Sequence, residues 1–299
     1  MPISIRSPQP AASDPPPMYL DPIAPRARVR LPDKAAHPPR GVPDGLALEE
    51  ATARALDRVG DLQQRLYADG RHGMLVVLQG RDASGKDGTI RKVFGACSPL
   101  GLHIAAFGVP NDVERSHDFL WRVHRQVPAL RYLGVFNRSH YEDVLVARVR
   151  GLVPKKVWKT RYDQINAFEA NLTAAGITIL KFFLHVSREE QGRRLLERLD
   201  EPEKRWKFNP GDLDDRERWD DYTEAYQDAL SRCSTADAPW FVVPADDKRV
   251  RDYLIARTLQ RALKALDLRF PEPDYDVAEC RARLLAGKGA PPAPDDAAH

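Results

Sequence analysis

Short apolar runs alternate with longer amphipathic stretches through most of the chain. The apolar runs have the length of strands and end at glycine or polar residues, as buried parallel strands do. The stretches between them repeat apolar residues at helical spacing. This alternation predicts a mostly parallel sheet covered by helices on both faces, with ligands at the carboxyl ends of the strands. The predicted strands are 74–78, 103–109, 132–136, 178–185 and 240–243, and the predicted helices are 44–68, 86–96, 111–125, 140–150, 161–174, 187–199, 214–233 and 247–266.

Proline sets the two ends of the chain apart from this pattern. Residues 1–43 contain 12 of the 25 prolines. Because proline lacks an amide donor and the segment has little apolar area to bury, it is expected to be flexible or polyproline-like. Its candidate contacts to the domain are Tyr19, Leu20 and Ile23. The expected divisions of the chain are an arm at 1–44, a domain at 45–268 and a partly disordered tail at 269–299.

Composition narrows the class of protein. The 299 residues are 42% hydrophobic and 30% charged, which is typical of a soluble globular enzyme and excludes a wholly disordered chain. No apolar run approaches the roughly 18–20 residues needed to cross a bilayer, and the N-terminus lacks the apolar region of a secretory signal. The three cysteines lie too far apart for a disulfide framework or a Cys-rich zinc site, so a cytoplasmic location is expected. The net charge of +3 indicates no polyanionic partner by itself.

The strongest chemical signal follows the first predicted strand. Residues 80–86 have the pattern G-x-x-x-x-G-K between a strand and a helix, the context that identifies a phosphate-binding loop. Glycines allow successive amides to point at phosphate oxygens, and the helix adds its positive end. Lys86 would supply a charge to the transferred phosphoryl group. The alternative is a glycine-rich turn without a ligand. The predicted loop residues besides Lys86 are Gly80, Arg81, Ala83, Ser84, Gly85, Gly88 and Thr89.

Two carboxylates make this loop unusual. Asp87 stands where such loops ordinarily carry the Ser or Thr that ligates Mg²⁺, and Thr89 is the candidate to replace part of that hydroxyl's role. Asp82 lies inside the loop, where a carboxylate would repel an anion unless it holds a metal or orients the phosphate acceptor. We therefore predict Asp82 as a metal ligand, with Mg²⁺ as the cofactor and Mn²⁺ as the alternative ion.

A second polar cluster follows the third predicted strand. It contains Asn137, Arg138, Tyr141 and Glu142, and a doubly wound sheet would bring it beside the phosphate loop. Arg138 can stabilise charge on the phosphoryl group during transfer. Alternatively, Arg138 caps the next helix or pairs with Glu142. His140 is more typical of a structural histidine than of a catalytic base.

Four segments in chain order resemble the polyphosphate kinase 2 family. They are GRDASGKDG at 80–88, HDFLWR at 117–122, FNRSHYEDV at 136–144 and EKRWKF at 203–208. The resemblance implies a three-layer α/β/α P-loop kinase fold related to thymidylate kinase, with a parallel sheet and a helical lid at about 188–215. It also implies Mg²⁺-dependent, reversible phosphoryl transfer between inorganic polyphosphate and a nucleotide. The family's loop likewise lacks Ser or Thr after its lysine.

The resemblance also assigns roles to residues. It implies catalytic roles for Asp82, Lys86, Arg138 and the lid residue Arg198, and nucleotide contacts from Asp118, Arg122, Asn137, Tyr141 and Glu142. Asp118 and Arg122, four residues apart, could instead be a surface ion pair. Adenine nucleotides (AMP, ADP, ATP) are the favoured substrates, with GDP as a further acceptor. A homo-oligomer is expected, and no membrane or nucleic-acid partner.

Basic residues concentrate in two regions. Residues 144–162 carry six basic side chains and no acidic one, whereas residues 188–207 carry seven basic and six acidic ones. The first region is a candidate entrance for polyphosphate, or else a solvated basic face or nucleic-acid patch. The second fits a closing lid that excludes water, or an exposed salt-bridged helix. The predicted polyphosphate-binding residues are Arg148, Lys155, Lys156, Lys159, Arg194, Lys204 and Lys207.

Two other functions remain open from the sequence. An ATP-dependent nucleoside monophosphate kinase would use the same loop and lid with a different donor. A non-catalytic polyanion- or RNA-binding protein would use the basic stretch at 148–161. Trp158 is the one aromatic residue within that stretch, and none of the usual RNA-binding motifs is present, which weakens the second alternative.

Overall fold

A five-stranded parallel sheet forms the centre of the molecule. The computed structural model describes residues 18–286 of the chain. The strand order is β2-β3-β1-β4-β5, and every neighbouring pair is parallel. All five predicted strands are present, with ends shifted by a few residues. They are β1 at Gly73–Gln79, β2 at Leu102–Ala106, β3 at Leu133–Asn137, β4 at Ile177–His185 and β5 at Trp240–Pro244.

Helices cover both faces of this sheet, as predicted. Leu48, Val59 and Leu66 of the first helix belong to the core on one face, while Ile165 and Leu172 of the sixth belong to the core on the other. The α-helices are α1 Gly45–Asp69, α2 Lys86–Val93, α3 Asp112–Arg115, α4 Trp121–His124, α5 Val146–Val149, α6 Lys155–Ala174, α7 Arg188–Asp200, α8 Gly211–Glu217, α9 Trp219–Cys233, α10 Lys248–Ala265 and α11 Val277–Leu285. The three-layer α/β/α fold is confirmed.

Three predicted helices are interrupted. The helix predicted at 111–125 is two single turns, α3 and α4; a capping box of Asn111 and Glu114 starts the first turn, as predicted for Asn111, but the helix does not continue past Ser116. The helix predicted at 140–150 is a 3-10 turn followed by α5. The helix predicted at 214–233 breaks at Arg218, whose ψ of 32° is not helical, so α8 and α9 meet there. Apolar spacing does not reveal such breaks, since it continues across them.

The described residues 18–44 of the N-terminal arm, which we call the N-terminal strap, lie against the domain, and the predicted contacts through Tyr19, Leu20 and Ile23 are present. Leu20 and Leu31 are buried against the domain. The Ile23 amide donates to the Trp240 carbonyl of the edge strand β5 at 2.8 Å, and the Pro32 carbonyl lies 3.0 Å from His185 Nε2. The domain thus supplies the polar partners that the proline-rich segment cannot supply itself. The remainder of the predicted arm, 1–17, lies outside the described residues.

The C-terminal region contains one further helix. Every residue of α11 is exposed to solvent. The rest of the predicted tail, 287–299, lies outside the described residues. Among the helices of residues 18–286, none combines the length and apolar character required to cross a bilayer.

Candidate active site

Two adjacent strands bring the two predicted clusters together. Leu78 of β1 pairs with Asn137 of β3, so the phosphate loop after β1 and the polar segment after β3 start side by side. The Arg138 Nη2 atom lies 2.6 Å from Asp82 Oδ1. The sequence predicted this juxtaposition, and it follows from the strand order rather than from either motif alone.

The phosphate loop is packed tightly against the sheet. A Cβ atom on Gly80 would lie 2.7 Å from the Leu184 carbonyl of β4, so a larger residue would displace the loop. Lys86 is buried and folds back over the loop, where its Nζ donates to the carbonyls of Gly80 at 2.7 Å and Arg81 at 3.1 Å. Burial lowers the pKa of Lys86 from its ordinary value. These contacts keep the ammonium group at the centre of the loop.

Arg138 is held by carboxylates on two sides. Besides Asp82, the Glu142 carboxylate lies 4.0 Å away, so the alternative pairing with Glu142 is present as a longer contact. Burial alone would lower the pKa of Arg138, but the charges of Asp82 and Glu142 outweigh it and raise the pKa. The Arg138 backbone has a left-handed φ of 63°, a conformation that non-glycine residues adopt at a cost. Strain of this kind concentrates at functional sites.

A cleft opens beside this pair. The loop residues Gly80 to Asp82, with Arg138 and Glu142, line one side, and Tyr222 and Tyr226 of α9 line the other. The Gln79 amide donates to Glu142 Oε1 at 3.0 Å, and burial raises the pKa of Glu142. The Arg81 side chain turns away from the loop to stack on Trp219, with its guanidinium carbon 3.7 Å from the ring centroid. The cleft therefore carries charges of both signs on the loop side and two tyrosines on the other.

The predicted nucleotide contacts are only partly at this cleft. Tyr141 is fully buried, and its hydroxyl bonds with Glu169 and Lys181 beneath the sheet end, so the prediction for Tyr141 is wrong. The Asn137 amide donates to Asp87 at 2.7 Å, at the exposed start of α2. Tyr141 and Glu142 lie in the 3-10 turn His140–Asp143, where consecutive side chains point about a third of a turn apart, so Glu142 can reach the cleft while Tyr141 enters the core.

The predicted contacts at 118–122 are also corrected. Arg122 is buried, and its Nη1 donates to the Gly108 carbonyl at 2.9 Å, so it holds the chain after β2. Asp118 lies in the turn before α4 and accepts from the Leu120 amide at 3.0 Å. The two residues therefore do not share a helical face, because the helix that would have aligned them is interrupted.

Two loop hydroxyls face away from the cleft. The Thr89 hydroxyl is buried and donates to Asp252 Oδ1 at 3.0 Å, so the prediction that it replaces the missing metal-binding hydroxyl is wrong. The Ser84 hydroxyl is buried with no hydrogen-bond partner among the described residues. Gly88 lies in the first turn of α2, next to Thr89. Thr89 thus ties the start of α2 to Asp252 of α10.

Carboxylates pair with two of the predicted polyphosphate-binding residues, Arg148 and Lys204. Arg148 pairs with Glu224 at 2.6 Å and Asp228 at 2.7 Å on α9. Lys204 pairs with Glu197 and Glu201 within the lid. The interpretation of Arg148 and Lys204 as free phosphate ligands is therefore corrected. Lys155, Lys156 and Lys159 of α6 are exposed and form no salt bridge within residues 18–286, while Lys207 lies 5.0 Å from the Trp206 ring centroid.

The two predicted lid arginines, Arg194 and Arg198, have different surroundings. Arg194 is buried and bonds to backbone carbonyls, so its prediction as a polyphosphate ligand is wrong. Arg198 is partly exposed, and its Nη1 is 3.1 Å from the Lys207 carbonyl and 3.4 Å from Asp212 Oδ2. Burial and the charge of Asp82 raise the pKa of Asp212 to about 6. No pattern in the sequence distinguished Asp212 or the buried Arg251 from the charged residues around them.

The raised pKa of Asp212 makes a prediction about stability. In the folded chain this carboxyl binds its proton more tightly than the ordinary value of 3.8 allows, so the free energy of unfolding falls as pH rises from about 4 to about 6. An Asp212→Asn variant should therefore melt at a higher temperature than the wild type at pH 7.5, by roughly 2–4 °C per ~1 kcal/mol recovered. The gain should shrink at pH 5.

Differential scanning fluorimetry at the two pH values measures this effect. Asp214→Asn is the matched control, because Asp214 lies on the same helix but is exposed. A melting-temperature difference that is the same at both pH values would show that the Asp212 carboxyl does not titrate abnormally.

The donor atoms at the loop suit a magnesium ion. Mg²⁺ usually binds through one or two carboxylates, with water and substrate phosphates completing the octahedron. Asp82 offers one carboxylate at the loop, with Glu142 on the same cleft. Within residues 18–286 no group of three or more His, Cys, Asp or Glu side chains is arranged to hold a metal by itself. This donor set fits an ion that arrives with phosphate, and not a permanent protein cage.

Comparisons with known proteins agree with this geometry. A family model described as polyphosphate kinase 2 matches residues 46–271. An AMP/ADP-polyphosphate phosphotransferase of Meiothermus ruber is 54% identical over 75% of this chain and 84% of the relative. An ADP-polyphosphate phosphotransferase of Rhodopseudomonas palustris is 44% identical over 77% and 85%. The crystal structure of a polyphosphate kinase 2 from Arthrobacter aurescens superposes with a TM-score of 0.80 at 40% identity, covering 90% of this chain and 99% of that one.

Proposed function

Because the chain belongs to the polyphosphate kinase 2 family, we propose that it transfers the terminal phosphoryl group of inorganic polyphosphate to AMP or ADP, and catalyses the reverse reaction. The single observation that best supports a working site is the Asp82–Arg138 pair beside the phosphate loop. The names of the relatives support the acceptors: the Meiothermus ruber protein is named for AMP and ADP, and the Rhodopseudomonas palustris protein for ADP.

The roles of the residues follow from their chemistry. The amides of the loop and Lys86 bind the phosphate that is transferred, and Arg138 stabilises the negative charge that develops on it. Asp82 and Glu142 orient the acceptor, and Arg198 closes over the polyphosphate from the lid. The nucleotide's terminal oxygen attacks phosphorus in line, so no covalent enzyme intermediate is required.

Asp82 would hold Mg²⁺, which when bound supplies charge neutralisation between the phosphates. For Asp82 to do so, its contact with Arg138 must lengthen, which frees the guanidinium for the transferred phosphoryl group. Substrate binding would thus exchange an internal ion pair for a contact from Asp82 to the metal and a contact from Arg138 to phosphate.

One assay tests the donor. Purified protein is incubated with ADP, long-chain polyphosphate and Mg²⁺ in the absence of ATP, and ATP is measured by luminescence. We expect ATP to accumulate, and EDTA to abolish the signal. An ATP-dependent nucleoside monophosphate kinase would instead leave polyphosphate untouched, and any ATP that it formed from two molecules of ADP would appear equally in a reaction without polyphosphate. Parallel reactions with AMP and GDP rank the acceptors.

A further inference from the structure

Two buried arginines contact the phosphate loop from the side opposite the cleft. Arg194 of α7 has 5% of its surface exposed and Arg251 of α10 has 2%. Neither lines the cleft that contains Asp82 and Arg138. Both nevertheless approach the carbonyl of Ser84, from Arg194 at 3.3 Å and from Arg251 at 3.4 Å.

Arg194 has no donor left for a substrate. A guanidinium carries five N–H groups in a fixed plane. The Nε atom of Arg194 donates to Glu190 at 2.7 Å. The remaining four donate to the carbonyls of Ala83 at 3.0 Å, Ser84 at 3.3 Å, Ala245 at 2.6 Å and Asp246 at 2.8 Å. The side chain therefore ties the loop after β1 to the segment after β5.

Arg251 completes the support from below. Its Nε and Nη2 donate to Asp252 at 2.9 and 3.1 Å. A Cβ atom on Gly85 would lie 1.9 Å from Nη1 of Arg251, and Gly85 has a left-handed φ of 102°. The second glycine of the motif is thus required by the arginine behind it as well as by the turn itself. Glu190 and Asp252 balance the two buried charges.

The backbone of the loop explains why it needs such support. When successive amides point inward at a phosphate, the carbonyls between them point outward and need donors. Ala83 has a left-handed φ of 61°, which a non-glycine residue keeps only when its surroundings enforce it. The Ala83 carbonyl is one of those that Arg194 binds.

We propose that Arg194 and Arg251 are positioning residues, which hold the phosphate loop in its phosphate-binding conformation without touching the substrate. This deepens the proposed function and rests on it only in that the loop binds phosphate. A merely structural role would lower thermal stability and leave the phosphate affinity of the folded protein unchanged. If either arginine instead bound the substrate directly through its charge, replacement by lysine would preserve binding, because lysine keeps the positive charge.

Substitution by lysine separates these cases. Lysine keeps the charge, but its three donors radiate from one atom and cannot reach carbonyls on two separate segments. We therefore expect Arg194→Lys and Arg194→Met each to lose about 10²-fold in kcat/KM, because small misplacements of bound groups cost that much. Arg193→Met is the matched control: Arg193 shares the partner Glu190, is 58% exposed and makes no contact with the loop. It should stay within about twofold of wild type.

Pyrophosphate binding keeps the test independent of the donor reaction. Isothermal titration at 15 °C, below the melting temperature of each variant, should show pyrophosphate affinity at least about tenfold weaker in Arg194→Lys and Arg251→Lys than in wild type. If wild-type protein binds pyrophosphate but ignores polyphosphate, the proposed function fails, and weaker pyrophosphate binding by the lysine variants still supports the positioning role. Unchanged pyrophosphate affinity in the two lysine variants would overturn the positioning role. Near-normal turnover of Arg194→Lys together with an inactive Arg194→Met would also overturn the positioning role. If Arg194→Met does not fold, the pyrophosphate affinities of the two lysine variants decide.

Discussion

Replacing Lys86 by alanine is expected to lower the rate of polyphosphate-driven ATP formation by at least 10²–10³-fold, on the order of the loss seen when one charge-stabilising donor is removed. Lys86 Nζ lies against the carbonyls of Gly80 and Arg81, at the centre of the loop, where a bound phosphate would meet it. Alanine removes that charge and the donor to the Gly80 carbonyl, whereas the Arg81 carbonyl keeps the Ser84 amide at 3.1 Å. A coupled luminescence assay under saturating ADP measures the change in kcat.

Lys92→Ala is the control for this variant. Lys92 lies on the same helix α2 but is exposed to solvent, so its loss should leave the rate unchanged. Circular dichroism at the assay temperature establishes that both variants are folded. A folded Lys86→Ala protein with turnover near that of wild type would remove Lys86 from phosphoryl transfer.

Replacing Arg138 by alanine is expected to cost on the order of 10²–10³-fold in kcat, with a smaller change in KM for the nucleotide. The guanidinium lies between Asp82 and Glu142, and it is the positively charged group held nearest to the loop carboxylate. Because Asp82 and Arg138 are in contact, Asp82→Asn and Arg138→Ala should also be strongly non-additive when combined. Steady-state kinetics of the two single variants and the double variant measure this coupling.

Arg131→Ala is the matched control. Arg131 precedes the same strand β3 at its opposite end and shares the left-handed backbone, with a φ of 74°. Any cost of placing alanine in that conformation is therefore present in the control as well. Equal losses in Arg131→Ala and Arg138→Ala would assign the effect to the backbone and not to the guanidinium.

The fold could be predicted from the sequence because its signals are local. A continuous apolar run such as Met74–Leu78 can only be buried on both sides, and a glycine-rich turn with a lysine can follow such a strand in few ways. Interruptions were not predictable in the same way. The break at Arg218 depends on how α8 and α9 pack, and α8–α9 spacing remains apolar across it.

In the candidate site, too, what local motifs determine could be predicted, and what contacts between distant residues determine could not. Asp82, Lys86, Arg138 and Glu142 meet because two motifs follow adjacent strands. The charge of Arg148 was misjudged because its partner Asp228 is 80 residues away, and a count within a short stretch cannot include it. Arg194 was predicted to bind polyphosphate because the sequence of a lid helix does not show whether an arginine faces the cleft or the outer side of the loop.

The strap over β5 has a consequence for any shortened form of the protein. The matched region begins at residue 46, whereas the Ile23 amide and the Pro32 carbonyl bind groups within the domain. A fragment trimmed to the matched region would expose the outer margin of the sheet and would leave the imidazole at the end of β4 without its acceptor. Strand edges with unpaired backbone groups readily pair with strands of neighbouring molecules. We therefore expect removal of residues 18–44 to increase self-association, and a boundary drawn at residue 46 to omit part of the folded unit.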